Sequence, residues 1–377
     1  MRGNASPGST CVVLAGGGTG GHLAPGIAVA DELRRRRDDL HVLFLGTGRP
    51  VEARMVGRAG HDLRVTDAVR MPRSVLEVPL FPFRLWRSIR RAKTALRELD
   101  PVIVVGLGGY GAVPAVRAAH ALGIPSVLLE QNSVPGRANR WLSRVAAEVY
   151  VQFECSRRYF RFPGRVHVLG NPLRHGIAEG SRERALETFS LDPDRKTLLV
   201  LGGSQGARRI NHAVCDALEA LGGAGAATLQ IVHQTGPTDL EWVSARHATS
   251  DVGRHVAAFI DAMPDAYAAA DLIVGRAGAT TLAEIAAVGR PSVLVPYPHA
   301  ADNHQVLNAK VFEDAGAAVI VPDDRLDGPT FARVVTELMT DDDRRRRMAE
   351  AARTLAKPNA TRDVCDRILS LLQGGRR

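Results

Sequence analysis

Gly16-Gly17-Gly18-Thr19-Gly20-Gly21-His22 follows directly on the apolar run Val12-Val13-Leu14-Ala15 and leads into a helix-like stretch over 26–36. Glycines let a backbone approach a phosphate closely. The first N–H groups of a helix, unpaired within it, point at the charge together with the positive end of the dipole. The junction therefore reads as an anion site. The chain repeats it: Leu198-Leu199-Val200-Leu201 runs into Gly202-Gly203-Ser204-Gln205-Gly206-Ala207, followed by a helix-like stretch over 210–221. Two such turns, each early in its own half, point to two anion-binding units facing each other. His22 closes the first turn. Imidazole is the side chain best matched to proton abstraction near neutral pH, so His22 is the candidate base.

Other polar clusters leave apolar runs in the same way. Gly106-Leu107-Gly108-Gly109-Tyr110-Gly111 adds a backbone-lined pocket after a strand over 102–105. Glu130-Gln131-Asn132 leaves the next strand as three adjacent polar side chains, suited either to a sugar or to capping the strand end. In the second half, Gly275-Arg276-Ala277-Gly278-Ala279-Thr280-Thr281 enters a helix carrying Glu284. Its small residues and N-terminal amides suit a diphosphate. Glu284, expected in the first turn or so, is placed either to take both hydroxyls of a ribose or merely to complement the dipole. Pro296-Tyr297-Pro298-His299 and Asp302-Asn303-His304-Gln305 gather at a further strand end and read as sugar recognition.

Two of these motifs have rival readings. Residues 16–21 satisfy G-x-G-x-x-G, but a dinucleotide site expects a carboxylate about 20 residues on, at the end of the second strand. That strand ends Leu45-Gly46-Thr47-Gly48-Arg49, without one. Residues 202–206 match the G-x-S-x-G nucleophile elbow of α/β-hydrolases, with Asp271 and His299 or His304 in the order a triad requires. A hydrolase leaves the first glycine turn without work.

The elements that position these residues form an α/β pattern. Short apolar runs alternate with helical periodicity throughout, as in parallel sheets covered by helices on both faces. Strands are expected over 10–15, 41–45, 62–65, 102–105, 126–129, 148–151 and 166–169, then over 197–201, 229–233, 255–259, 272–274, 292–295 and 318–321. With 377 residues, two domains are the default. They are expected over 1–170 and 171–358, with the linker at Gly170-Asn171-Pro172-Leu173-Arg174 and the polar stretch to 194. An amphipathic helix within 359–377 is a candidate to pack back on the first. Ligands of such sheets bind at the carboxyl ends of the strands, so the crevice between the domains is the expected active site.

Composition removes several classes. The four cysteines are scattered, with no C-x-x-C pair, against a disulfide framework or zinc knuckle. No run approaches the roughly 18 apolar residues of a membrane span and the N-terminus lacks an apolar signal core, so a cytoplasmic protein is expected. The net charge of +9 is carried almost wholly by arginine, and aromatics are not interleaved with the basic clusters. Nucleic acid is therefore not expected as a partner; phosphorylated substrates or an anionic membrane surface account for the charge.

In combination these segments resemble the MurG family of bacterial glycosyltransferases over nearly the whole chain. The motifs are residues 17–22, Gly108-Gly109-Tyr110, Glu130-Gln131-Asn132, residues 170–174, residues 202–207, Phe259-Ile260-Asp261-Ala262-Met263, and Asp302-Asn303-His304-Gln305 with Asn308-Ala309. The resemblance implies a GT-B fold, two Rossmann-like domains with the sugar nucleotide held mainly by the second. It implies an inverting transfer of N-acetylglucosamine from UDP-GlcNAc to the C4 hydroxyl of the muramic sugar of lipid I, giving lipid II for peptidoglycan. No cofactor or metal is called for, since helix-start amides can meet the charge on departing UDP. Carried onto matching positions, it places Thr19, Gly20, Gly21 and Asn132 near the donor sugar and diphosphate, and Arg174 and Ser204 on the diphosphate side. Ile260 then contacts the uracil, Ala279, Thr280 and Thr281 the diphosphate and base, Glu284 the ribose, and Gln305 the sugar hydroxyls. His304 stands where some relatives have glutamine.

A lipid-linked acceptor also gives the apolar segment over 75–86 a use. Leu80, Phe81, Phe83, Leu85 and Trp86, followed by Arg87, Arg90 and Arg91, form either a core helix or a patch that docks on the anionic cytoplasmic face of the membrane. Other cell-wall synthesis proteins are further expected partners. The rival functions are another GT-B enzyme of UDP-sugars (a lipid or natural-product transferase, or an epimerase) and a non-catalytic sugar-nucleotide sensor.

Overall fold

Parallel neighbours must be joined by crossovers, and strands buried on both faces must be apolar throughout. The computed structural model describes residues 10–66, 79–203, 205–220 and 228–374. It divides into two compact units, Met1–Arg174 with Pro358–Arg377, and His175–Lys357. Each unit is built on one parallel sheet, the two-sheet α/β architecture expected of a GT-B fold.

In the first unit, β1 (Thr10–Ala15), β2 (Leu40–Gly46), β3 (Asp62–Val65), β4 (Ile103–Gly106), β5 (Ser126–Glu130), β6 (Glu148–Val151) and β7 (Val166–Val168) form one sheet in the order β3-β2-β1-β4-β5-β6-β7. Every pairing is parallel. Successive side chains of a strand go to opposite faces. Val13, Ala15, Leu43 and Leu45 accordingly join one core and Val12, Leu14, Val42 and Phe44 the other.

The helix Ala360–Gly374 completes that second core. Val364, Cys365 and Ile368 are fully buried in it, and burial pushes the Cys365 thiol up to about 12. Thr361 Oγ1 donates to the Leu173 carbonyl at 2.9 Å and accepts from Leu173 N–H at 3.0 Å. Asp366 pairs with Arg36, and Arg367 with Glu148. The four cysteines carry no disulfide.

The second unit contains β8 (Lys196–Leu201), β9 (Leu229–Gln234), β10 (Gly253–Ala257), β11 (Leu272–Gly275), β12 (Ser292–Leu294) and β13 (Ala318–Ile320), in the order β10-β9-β8-β11-β12-β13, again all parallel. It repeats the strand order of the first without a counterpart of β7. Two local expectations are corrected. The stretch read as linker holds a helix, Arg182–Phe189, begun by Ser181, whose hydroxyl accepts from Arg184 N–H at 3.2 Å. β10 begins two residues before the expected 255. It is an edge strand without a fully buried residue, so its apolar signal is weak.

No described helix is long and apolar enough to cross a membrane. Truncating Ile368, a fully buried residue of this last helix, which packs on the helix Gly20–Arg36, removes core contacts. Ile368→Ala is expected to cost about 2–4 kcal/mol in the denaturant unfolding of the full chain; an unchanged midpoint would show that this helix is not part of the core.

Candidate active site

The first glycine turn is a close-packed backbone junction. Gly16, Gly17 and Gly18 have φ of +118°, +147° and +87°. A Cβ on Gly16 would stand 2.9 Å from the Gly108 carbonyl and one on Gly17 2.7 Å from Glu52 Oε1. Thr19, exposed and extended, caps the helix Gly20–Arg36. That helix starts six residues before the expected 26, because Pro25 lies inside it rather than ahead of it. Gly20, Gly21 and His22 thus form its first turn, with their N–H groups at the carboxyl end of β1.

Two buried glutamates hold the surrounding loops. Glu52 is fully buried and accepts from Thr47 N–H and Oγ1 at 2.7 Å each, Gly48 N–H at 2.9 Å and Arg49 N–H at 3.2 Å. Arg49 in turn donates to the Gly18 carbonyl at 2.8 Å. Sequence reasoning looked for a carboxylate on the strand end and passed over this one, a helical turn later. Its signal was Pro50 opening a helix with Glu52 two residues on, a helix-start pattern. Glu130 accepts from Asn132 N–H at 2.9 Å, Asn132 Nδ2 at 3.3 Å, Gly136 N–H at 3.0 Å and Asn139 Nδ2 at 2.9 Å. For Glu130 the capping alternative is the correct one.

Its neighbours turn elsewhere. Gln131 reaches His22, with Oε1 2.9 Å from Nδ1, and its Nε2 donates to the Leu107 carbonyl at 3.3 Å. The third glycine cluster makes room for this ring: a Cβ on Gly108 would lie 3.0 Å from His22 Nδ1. Asn132 is half-buried beside it, and Arg174 is the exposed last residue of this part of the unit.

The second glycine turn is built the same way on β8. Gly203 and Gly206 have φ of +77° and +81°, and a Cβ on Gly206 would fall 2.2 Å from the Thr235 carbonyl. Ser204 lies outside the described residues. Gln234, at the end of β9, ties the turn to the Ile260 segment: Nε2 donates to the Gly203 carbonyl and Oε1 accepts from Ile260 N–H, both at 3.1 Å. Beneath it, His233 stands 3.1 Å from His247 and 3.0 Å from Asn211 Oδ1. Burial holds the two imidazoles down to about 3 and about 4, so this brace is neutral.

Ala279, Thr280 and Thr281 open the helix Ala279–Val288 with Gly278 at its cap, at the carboxyl end of β11. Glu284 is in the second turn, not the first, and Oε2 accepts from the hydroxyl of buried Tyr267 at 2.8 Å. Tyr267 was missed, being 17 residues away on another helix with an apolar reading. The Arg276 guanidinium is spent on Asp323 and the carbonyls of Val295 and Pro296. Gln305 Oε1 accepts from Tyr297 N–H at 2.9 Å, which turns its amide N–H groups away from that loop; His304 Nδ1 is 2.7 Å from the Ala301 carbonyl. Asp271 precedes β11 and accepts from Thr197 N–H at 2.7 Å. It lies at the amino end of the sheet, opposite the second glycine turn, which removes the hydrolase triad.

The segment over 80–91 is not a plain core helix. Ser88, Ala92, Ala95 and Leu96 form the buried stripe of the helix Phe81–Leu99, whereas Leu80, Phe83 and Trp86 are 52, 61 and 51% exposed. Phe83 stacks on Trp86 with ring centres 6.0 Å apart, and the Arg90 guanidinium lies 4.8 Å over the indole. Arg87 and Arg91 are exposed on the same helix. Phe81 and Leu85 turn toward a cavity of about 280 Å³ lined also by Tyr110, Val113, Arg137 and Trp141.

A substitution at Gly206 tests whether the second turn must be this tight. Gly206→Ala has a backbone oxygen in the path of its Cβ and is expected to cost about 1–3 kcal/mol in denaturant unfolding; an unchanged midpoint would show that the turn can open without loss.

Residues 12–151 match the glycosyltransferase family 28 N-terminal domain and residues 197–366 its C-terminal domain. A UDP-N-acetylglucosamine--N-acetylmuramyl-(pentapeptide) pyrophosphoryl-undecaprenol N-acetylglucosamine transferase of Geobacter sulfurreducens is 41% identical over 366 residues, 95% of this chain and 98% of that protein. The crystal structure of MurG from Acinetobacter baumannii is similar with a TM-score of 0.76 and 32% identity, over 96% of this chain and 99% of that one. A UDP-GlcNAc 2-epimerase of Neisseria meningitidis bound to UDP-GlcNAc, with a TM-score of 0.66 over 96% of this chain and 100% of that one, shares the fold at 14% identity. By both of its domains and by relatives that align along nearly their whole length, the chain belongs to glycosyltransferase family 28, alongside the N-acetylglucosamine transferases of that name.

Proposed function

We propose that the protein transfers N-acetylglucosamine from UDP-GlcNAc to the C4 hydroxyl of the muramic sugar of lipid I, with inversion. The observation that carries the reading is a histidine seated on the first glycine turn of a chain that aligns almost end to end with transferases of this name. The acceptor oxygen forms its bond to the anomeric carbon as the bond from that carbon to the β-phosphate oxygen breaks. The hydroxyl proton goes to the His22 imidazole, and UDP leaves with the electron pair. The N–H groups at Ala279, Thr280 and Thr281 and the second glycine turn, with Ser204, meet the charge on the diphosphate. Arg174 adds a cation on the diphosphate side. Glu284, held by Tyr267, takes the ribose hydroxyls; the Ile260 segment takes the uracil; Gln305 takes sugar hydroxyls. Thr19, Gly20, Gly21 and Asn132 take part in binding the donor sugar and diphosphate.

His22→Ala is expected to lower turnover about 100-fold or more while the donor KM stays within about threefold. The assay follows radiolabel from UDP-GlcNAc into the lipid fraction with a short-chain lipid I analogue. Unchanged turnover removes His22 as base, and no label in the lipid with the native protein removes the reaction.

The same reading places the protein on the cytoplasmic face of the membrane. Leu80, Phe83 and Trp86 enter the interface while Arg87, Arg90 and Arg91 meet anionic head groups. A basic residue near such a surface contributes about 1 kcal/mol, so reversing Arg87 and Arg91 together to Glu is expected to weaken binding to anionic vesicles about tenfold or more in co-sedimentation. Binding that ignores both the charge reversal and the anionic lipid content would exclude the patch.

A further inference from the structure

An imidazole acts as a base through one nitrogen, and the other decides which one that is. His22 Nδ1 lies 2.9 Å from Gln131 Oε1. The Gln131 amide is itself oriented, because Nε2 sits 3.3 Å from the Leu107 carbonyl. That carbonyl only accepts, so the NH2 must face it and the amide oxygen must face the ring. An acceptor opposite Nδ1 obliges Nδ1 to carry the hydrogen. A neutral imidazole has one N–H, so its lone pair is on Nε2.

The surroundings leave the ring little choice. Gln131 is 3% exposed, and the ring of His22 is seated against Gly108, whose φ of +103° admits no ordinary side chain. The nearby carboxylate does not compete: both oxygens of Glu130 accept from Asn132, Gly136 and Asn139. A carboxylate against Nδ1 would favour the imidazolium, which cannot take a proton. A neutral amide orients the ring without adding that charge.

We propose that Gln131 is a positioning residue that holds His22 in the Nδ1–H form and directs the basic Nε2 to the acceptor hydroxyl. The inference rests on the reading of His22 as base. In the transfer step the hydroxyl proton passes to Nε2, and the resulting imidazolium keeps its Nδ1–H on Gln131 Oε1. The O4 to C1 bond forms as the C1 to phosphate-oxygen bond breaks, and UDP carries off the electron pair.

The full-length protein with isotopically labelled histidine reports the tautomer directly by long-range proton–nitrogen correlation at about pH 8.5, above the usual imidazole pKa of about 6.5. Loss of the signal in His22→Gln assigns it. The native protein is expected to show His22 protonated at Nδ1. Gln131→Met, close in shape but without an acceptor, is expected to mix the tautomers and lower kcat about 10- to 100-fold, with the donor KM within about twofold. Gln131→Glu, which keeps an acceptor at that place, is expected to keep the Nδ1–H form. A native His22 protonated at Nε2 overturns the proposal, as does Gln131→Met with native tautomer and kcat. Should Gln131→Met not fold, the native tautomer alone decides. Should His22→Gln keep full turnover, the base reading fails, whereas the tautomer still tells whether Gln131 sets the ring.

Discussion

Main-chain proximity governs this molecule. In each sheet the strand order reverses at the first strand: β1 lies between β2 and β4, and β8 between β9 and β11. At such a reversal the connections part to opposite faces and leave backbone amides open at the strand ends. The loops can gather there only if no side chain intervenes. Gly16 against the Gly108 carbonyl and Gly206 against the Thr235 carbonyl meet that condition at distances no Cβ tolerates. The glycines thus serve the packing of the loops first, and the anion-binding role proposed for the turns rests on what that packing leaves uncovered.

Polar side chains then fix the loops, and their capacity decides which of them is left for chemistry. A carboxylate has about four lone-pair sites. Glu52 and Glu130 each accept four hydrogen bonds from the loops around them. Three of the bonds to Glu52 fall on Oε2 and one on Oε1, and two fall on each oxygen of Glu130, so both acids are bound into the loops as scaffold. The same economy recurs in the second unit, where Gln234 joins the Gly203 and Ile260 segments and the His233 pair beneath is held neutral by burial. In both units the strand-end loops are thus tied together by buried amides and carboxylates.

The sheets were readable because parallel strands buried on both faces are nearly uniform apolar runs, and the motifs were readable because glycine turns are local. Three things were not. The start of the first helix was misjudged because Pro25, usually a boundary, sits within it. Strand β10 slid by two residues because an edge strand has little buried surface to mark it. The pairings of His22 with Gln131 and Glu284 with Tyr267 span 109 and 17 residues, and no periodicity encodes a contact made by tertiary folding. The functional clusters were therefore visible as lists of residues, while the partner that orients each one was visible only in space.

The helix Phe81–Leu99 shows how size, rather than hydropathy alone, sets a face. It packs on the helix Val113–Ala121 through Ser88, Ala92, Ala95 and Leu96, and mostly small residues let two helix backbones approach closely. Large side chains on that stripe would hold the pair apart. Phe83 and Trp86 are consequently on the outer side, half or more exposed. Each large apolar side chain left in water forgoes about 1.5–3 kcal/mol of burial, which stacking of Phe83 on Trp86 and Arg90 on the indole recovers only in part. On the proposed docking, a lipid surface would return the remainder. The close inner packing and the membrane-docking role proposed for the outer face are thus two sides of one arrangement, in which the core accepts the small residues and leaves the large ones outside.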